Sequence, residues 1–332
     1  MPTAATSLEL PDVAGLTIRN YQGESDLPAM IAVIAAAKRA DGIERTDTLE
    51  TAQHNYRNLV NCDPSTDVLM VEVEGRLIGY SRVWWNQEVG LRSYNGICFV
   101  HPDWRNRGIG SFMYDWNRER IDAIAATHPP GPKVFRTWID QGEKEAKSML
   151  EGKGLEAKTY GASMSRSLLG ELPDHPLPDG LEIRPATKEQ MRTIWEADEE
   201  AFKDHWAEPE KTESDYHRYL EFPHTDLSLW RIAWDGDEVA SQVRSFIDPE
   251  ENEEYRRLRG YTEFISTRRP WRGKGVAKAL IASSLQALKD RGMTEAALGV
   301  HVENPNGAFK LYESLGFTVD QMSTVYEGPM EA

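Results

Sequence analysis

Apolar and polar positions along this chain fall into the same order of segments twice. In the first half a short β-type run, Leu16–Arg19, precedes a helical spacing over Leu27–Ala40. Two β-rich runs then flank Glu74-Gly75, a dipeptide suited to a hairpin turn because Gly takes positive φ without steric cost. Another apolar strand leads into a Gly-containing turn and an amphipathic helix over Gly110–Ala126, and one more strand and helix follow. The second half repeats the plan with Leu181–Arg184, Lys188–Lys203, a hairpin at Asp235-Gly236, the strand Tyr261–Thr267 and a helix over Ala277–Arg291. Mixed strands and helices in this order predict an α+β fold, each half a sheet covered by helices.

The repetition extends to the residues. Arg105-Asn106-Arg107-Gly108-Ile109-Gly110 recurs as Arg272-Gly273-Lys274-Gly275-Val276-Ala277, with Gly108 and Gly275 standing 167 residues apart. Leu16-Thr17-Ile18-Arg19 is echoed by Leu181-Glu182-Ile183-Arg184. A period this long predicts duplicated domains rather than a solenoid. Between the copies, Leu168 to Gly180 carries Pro173, Pro176 and Pro178, which fix φ and remove backbone donors, so this stretch reads as an extended linker. The expected division is a first domain over 1–167, a linker over 168–180 and a second domain over 181–332.

Composition narrows the class. A hydrophobic fraction of 40% supplies cores for two domains. The net charge of -16 argues against a nucleic-acid partner and against attachment to anionic membranes. The longest clear apolar run, Met30–Ala37, falls far short of the ~20 residues a membrane helix needs. Met1–Thr6 lacks the basic and apolar regions of a signal peptide, so a soluble cytoplasmic protein is expected. Cys62 and Cys98 imply neither a disulfide framework nor a metal site, and no metal is expected. Nothing in the sequence speaks to oligomeric state.

The repeated turn is the candidate binding element. Each copy follows an apolar strand and opens a helix, whose first turn has unpaired N–H groups and a partial positive charge. Both favour a bound phosphate. Gly273 and Gly275 let an anion approach the backbone, while Arg272 and Lys274 add charge. Arg105, Arg107, Gly108 and Gly110 offer the same arrangement in the first half.

On these residues the chain resembles the GNAT superfamily of acyl-CoA N-acetyltransferases, in tandem over nearly its whole length. Both turns are similar to the superfamily's Gln/Arg-x-x-Gly-x-Gly/Ala pyrophosphate loop. The run Glu303-Asn304-Pro305-Asn306-Gly307 through Tyr312 to Leu315-Gly316-Phe317 is similar to its later motif. The two-domain layout resembles that of the mycothiol synthase family. The resemblance implies two domains, each a mixed splayed sheet flanked by helices. It implies acetyl-CoA as co-substrate, held by Ile265, Thr267, Arg272, Gly273, Lys274, Gly275, Val276, Ala277 and Asn304, its pantetheine arm lying between parting strands. It also implies direct acetyl transfer to an amine, without an acyl-enzyme.

The halves are not equivalent. Leu150, Gly142 and Gly96 fall where Tyr312, Asn304 and Glu263 stand in the second half. The first domain is therefore expected to be non-catalytic, binding acyl-CoA or only bracing its neighbour. In the second, Glu263 interrupts an apolar strand and reads either as a general base or as a structural carboxylate paired with an arginine such as Arg244. Tyr312 reads as a hydroxyl donor to the leaving sulfur or as a core aromatic. Asn304 reads as a pantetheine contact or as a helix cap before Pro305.

Charge offers a hint about the acceptor. Residues 1–170 carry a net of -3 and the remainder -13, with acidic clusters at Asp198-Glu199-Glu200 plus Asp204 and at Asp248–Glu254. These either draw a cationic amine or form a solvated helix face and a polar loop. Trp206 and Trp230 read as apolar walls of the acceptor site or as core. The expected function is acetylation of a primary amine on a small molecule. A protein or peptide amine and a non-catalytic acyl-CoA-responsive binding protein are the alternatives.

Overall fold

The computed structural model describes residues 7–203, 205, 210–304 and 306–330. The opening hexapeptide, Asp204, Trp206 and Pro305 lie outside the described residues. By contact the chain divides into two units, Met1–Lys158 with Ser323–Ala332, and Thr159–Met322.

The first unit runs through β1 (Leu16–Asn20), α1 (Leu27–Asp41), α2 (Leu49–Arg57), α3 (Pro64–Asp67), β2 (Val68–Val73), β3 (Arg76–Glu88), β4 (Leu91–Val100), α4 (Ile109–Ala125), β5 (Lys133–Asp140) and α5 (Lys144–Gly152). The chain then passes along β6 (Glu156–Ser167) into the second unit. That unit holds β7 (Glu182–Arg184), α6 (Met191–Phe202), α7 (Glu213–Leu220), β8 (Trp230–Asp235), β9 (Glu238–Ile247), α8 (Pro249–Tyr255), β10 (Arg259–Thr267), α9 (Val276–Asp290), β11 (Glu295–His301) and α10 (Ala308–Ser314). The last strand, β12 (Thr318–Pro329), brings the chain back to the first unit.

Each unit is a mixed sheet with helices packed on it, as the sequence pattern predicts. In the first, β1, β2, β3 and β4 pair antiparallel in chain order, β4 pairs parallel with β5, and β5 pairs antiparallel with Ser323–Pro329 of β12. In the second, β7, β8, β9 and β10 pair antiparallel, β10 pairs parallel with β11, and β11 pairs antiparallel with Gly161–Ser167 of β6. Each sheet therefore takes its sixth strand from the other half of the sequence.

Local sequence explains the elements. In α1, Leu27, Met30, Val33, Ile34 and Ala37 recur at helical spacing and are buried, while Gly42 at φ +69° ends the helix. In β2, Val68–Val71 are buried without alternation, as in a strand covered on both faces. The first hairpin turns at Glu74 and Gly75, both at positive φ. The acidic stretch after Asp248, read from sequence as a polar loop, forms α8, because the Asp248 side chain accepts the Glu251 N–H at 2.8 Å and Pro249 occupies the first helical position. Apolar burial is concentrated around α4 in the first unit and α9 in the second.

Candidate active site

The second unit has a break in its sheet. β10 and β11 pair only from Arg259–Tyr261 to Glu295–Ala297, and beyond that they part. On its other side β10 slips register against β9 between Glu263 and Ser266, with Phe264 held at φ +51°. Past the bulge, β10 has no ladder partner on the β11 side, so the edge carrying Ile265, Ser266 and Thr267 faces open space. That space is a cleft of about 500 Å³ bounded by the C-terminal end of α6, the turn before α9, Asn304 and Tyr312.

The turn has the conformation that its glycines permit. Gly273 and Gly275 sit at φ +72° and +86°, and a Cβ on either would meet nothing within 4 Å. Gly275 begins α9 without any side-chain cap, and the first helical bond is donated by Ala279. The N–H groups of Val276, Ala277 and Lys278 therefore have no helical acceptor, and all three residues line the cleft. The cationic side chains are arranged differently from the sequence expectation. Arg272 lines the cleft, but its Nε donates to the Thr267 carbonyl at 3.0 Å and its Nη2 to the Ala201 carbonyl at 2.8 Å. Its guanidinium ties the turn to β10 and α6. Lys274 is exposed, and Lys278, one helical turn on, is the lysine at the cleft.

Glu263 sits where the strands separate. Its Oε1 accepts the Gly299 N–H at 2.7 Å, across the gap in which the ladder has stopped. Arg244 is its cross-strand neighbour, yet Arg244 donates to Asp198 at 2.8 Å instead. The proposed pairing of Glu263 with Arg244 is thus absent. Loss of hydration pushes the Glu263 carboxyl up to about 7, against the opposing pull of the Gly299 and Phe264 N–H groups. Glu263 lies beside the cleft rather than in its lining.

Tyr312 is buried but for the part facing the cleft, and packs edge-on against Phe317 at 6.2 Å. Its hydroxyl makes no hydrogen bond among the described residues. Burial raises its pKa, and the neighbouring Glu263 charge raises it further, so the hydroxyl keeps its proton at neutral pH. Asn304 lines the cleft, but its Oδ1 accepts the Asn306 N–H at 2.8 Å, closing the turn before α10. Sequence reasoning missed Ser266, Phe202 and His205 as cleft residues, because no local pattern marks which side chains border a gap between strands. Trp230 is buried against Tyr219 and Arg244 and belongs to the core. The acidic cluster on α6 is partly committed, with Asp198 on Arg244 and Glu200 on Arg268.

The corresponding place in the first unit is much narrower. Gly108 has φ +80° and opens α4 in the same way, but Pro11 lies 3.8 Å from where its Cβ would be, and Met149 equally near that of Gly110. Arg105 is doubly bonded to Asp41 at 2.6 and 2.7 Å, whereas Arg107 stacks over Trp104. A side chain at Gly142 would strike the Asp41 carbonyl at 1.9 Å, so the end of α1 occupies the position that Asn304 borders in the second unit. A Cβ at Gly96 would meet Asn117 Nδ2 at 2.8 Å, leaving no room for a glutamate there. The cavity between the parting β4 and β5 is about 70 Å³.

Comparison with known proteins agrees with this architecture. The sequence profile of the acetyltransferase (GNAT) family matches residues 35–119 and 190–317. A mycothiol acetyltransferase of Thermobispora bispora is 26% identical over 319 residues, covering 93% of this chain and 97% of its own. One from Corynebacterium efficiens is 27% identical over 270 residues, covering 77% and 79%. Among solved structures, a GCN5-related N-acetyltransferase from Sphaerobacter thermophilus superposes with a TM-score of 0.72 at 25% identity, covering 96% of both chains. A tandem GNAT protein from the clavulanic acid biosynthesis pathway does so with a TM-score of 0.66 at 14% identity, covering 95% of this chain and all of its own.

Proposed function

The chain belongs to the acetyltransferase (GNAT) family, and from that premise we propose that its second unit transfers acetyl from acetyl-CoA to a primary amine of a small molecule. One observation carries the assignment. A helix start with bare N–H groups, an unpaired strand edge, a carboxylate pushed up to about 7 and a buried hydroxyl converge on a single splay.

The residues suit the coenzyme. The amides of Val276, Ala277 and Lys278 would hold the pyrophosphate, with open space above Gly275 for the anion. The free edge at Ile265–Thr267 would pair with the pantetheine amides. Acetyl-CoA supplies an activated acyl thioester when bound. Glu263 accepts the amine proton, directly or through water, as nitrogen bonds to the acyl carbon and the carbon–sulfur bond breaks. The departing sulfur takes a proton from Tyr312. The first unit, with its narrow cavity, takes no part in turnover.

The names of the Thermobispora and Corynebacterium relatives support a small-molecule acceptor. The test is release of free thiol from acetyl-CoA against a panel of amino sugars, polyamines, arylalkylamines, amino acids and peptides. Small-amine turnover at least tenfold above the uncoupled rate is the expected result. Turnover confined to peptides would overturn the small-molecule assignment.

A further inference from the structure

The face of the second sheet beside Glu263 is built from aromatic rings. Phe246 stacks on Tyr261 at 5.0 Å and 14°, and Phe222 meets Phe246 edge-on at 5.3 Å. Phe264 joins them because the bulge turns it onto the same face as Glu263, where its ring lies 4.3 Å from the Arg244 guanidinium and 6.3 Å from Phe222. Phe264 keeps 42% of its surface exposed. On the opposite side of Glu263, β11 contributes an exposed Gly299, and a Cβ there would meet only Glu263 Oε1 at 3.5 Å. Open space therefore lies over Gly299, with the carboxylate on one side and an aromatic wall beyond it.

The arginines on this face are each paired with an acid. Arg244 is neutralised by Asp198 at 2.8 Å, and Arg259 by Glu295 at 2.8 Å. Just past the end of β9, Asp248 stands 3.5 Å from His224, whose ring stacks on Phe246. The carboxylate of an amino-acid acceptor would have to displace the acid already held by each arginine, and the rings of Phe222, Phe246 and Phe264 offer a polyhydroxylated amine no hydrogen bond. A flat apolar body carrying an ammonium fits both features.

Resting on the acetyltransferase reading above, we propose that the acceptor is an arylalkylamine, its amino group over Gly299 beside Glu263 and its ring against Phe246 and Phe264. Ring-on-ring contact is worth about 0.5–1.5 kcal/mol beyond burial, or roughly 2–12-fold in specificity.

Three probes test this on the full chain: 2-phenylethylamine, its saturated analogue 2-cyclohexylethylamine, and glucosamine. Wild type should favour 2-phenylethylamine over the cyclohexyl compound by about 2–12-fold in kcat/KM, and over glucosamine by more. Phe246→Leu should bring the first ratio close to one by raising the acceptor KM, with the acetyl-CoA KM unchanged. Saturation-transfer NMR supplies a readout independent of turnover. Wild type should bind 2-phenylethylamine, and Gly299→Ile, which places a branched side chain over the carboxylate on a strand that tolerates it, should not. Melting curves establish that both variants are folded. Efficient acetylation of glucosamine with no aromatic preference would overturn the acceptor class and leave the transferase reading intact. Binding of 2-phenylethylamine that Gly299→Ile abolishes, without any acetyl transfer, would support the site and overturn the transferase reading. Binding unaltered by Gly299→Ile would overturn the site.

Discussion

At the scale of single residues, Glu263 faces opposing demands. A base that titrates near 7 makes kcat/KM fall as pH drops below about 7, since protonation removes the acceptor for the amine proton. Glu263→Gln should lower kcat by ~10²–10⁴-fold and abolish that acidic limb. The same shift costs stability. The folded protein holds the Glu263 proton more tightly than the unfolded chain, so raising pH from about 4.5 through about 7 favours unfolding. Glu263→Gln should therefore melt above wild type at pH 8, with the difference shrinking at pH 5. A variant that melts lower at both pH values would show that the carboxylate is structural. Tyr312→Phe should lower kcat and leave acetyl-CoA affinity nearly unchanged, because the hydroxyl supports no packing partner; stopped-flow chemistry and equilibrium dialysis separate the two effects. The sequence marks both residues as candidates, Glu263 as a carboxylate in an apolar strand and Tyr312 at a motif position. The true work of Arg272 was not. Its spacing marks a cation at a phosphate turn, and only the fold reveals carbonyls at Thr267 and Ala201 within reach. Nor does any residue type announce that Phe264 adopts φ +51°.

At the scale of elements, the duplicated turn is the part that sequence conveyed best, and its two copies have diverged through what packs against them. If the proposed site is right, Gly275→Glu should abolish coenzyme binding by setting a carboxylate where the pyrophosphate would lie. Gly275→Ala carries the same positive-φ strain without the charge and should weaken binding only modestly. Gly108→Glu should leave kcat unchanged, and calorimetry should find one coenzyme per chain in wild type. Two sites of similar affinity would overturn the view that the first cleft is closed. Strands and long helices were readable because their apolar spacing runs over many residues, as in α1 and α9. The closure of the first cleft was not, because Gly142 looks like a lost polar group, whereas it is the position that lets the end of α1 approach. Likewise α8 hides in a run of acids until Asp248 is seen to cap it.

At the scale of the molecule, each sheet is completed by a strand from the other half. A division at the proline-rich stretch would thus remove β6 from β11 and expose the edge beside the cleft. A fragment of residues 159–322 should fold cooperatively and bind acetyl-CoA, while residues 181–332 should aggregate or show no cooperative transition; circular dichroism melts of the two decide. Chain order alone could not show this exchange, since the repeat predicts two like domains and says nothing about which copy a terminal strand joins. The exchange also orders events during synthesis. β5 is made before the second unit, but its outer partner, Ser323–Pro329, only after it. Thr159–Met322 can close as soon as its own segment has emerged. The unit whose strands are made first is therefore the unit that finishes folding last, waiting with an open edge until its neighbour has been made in full.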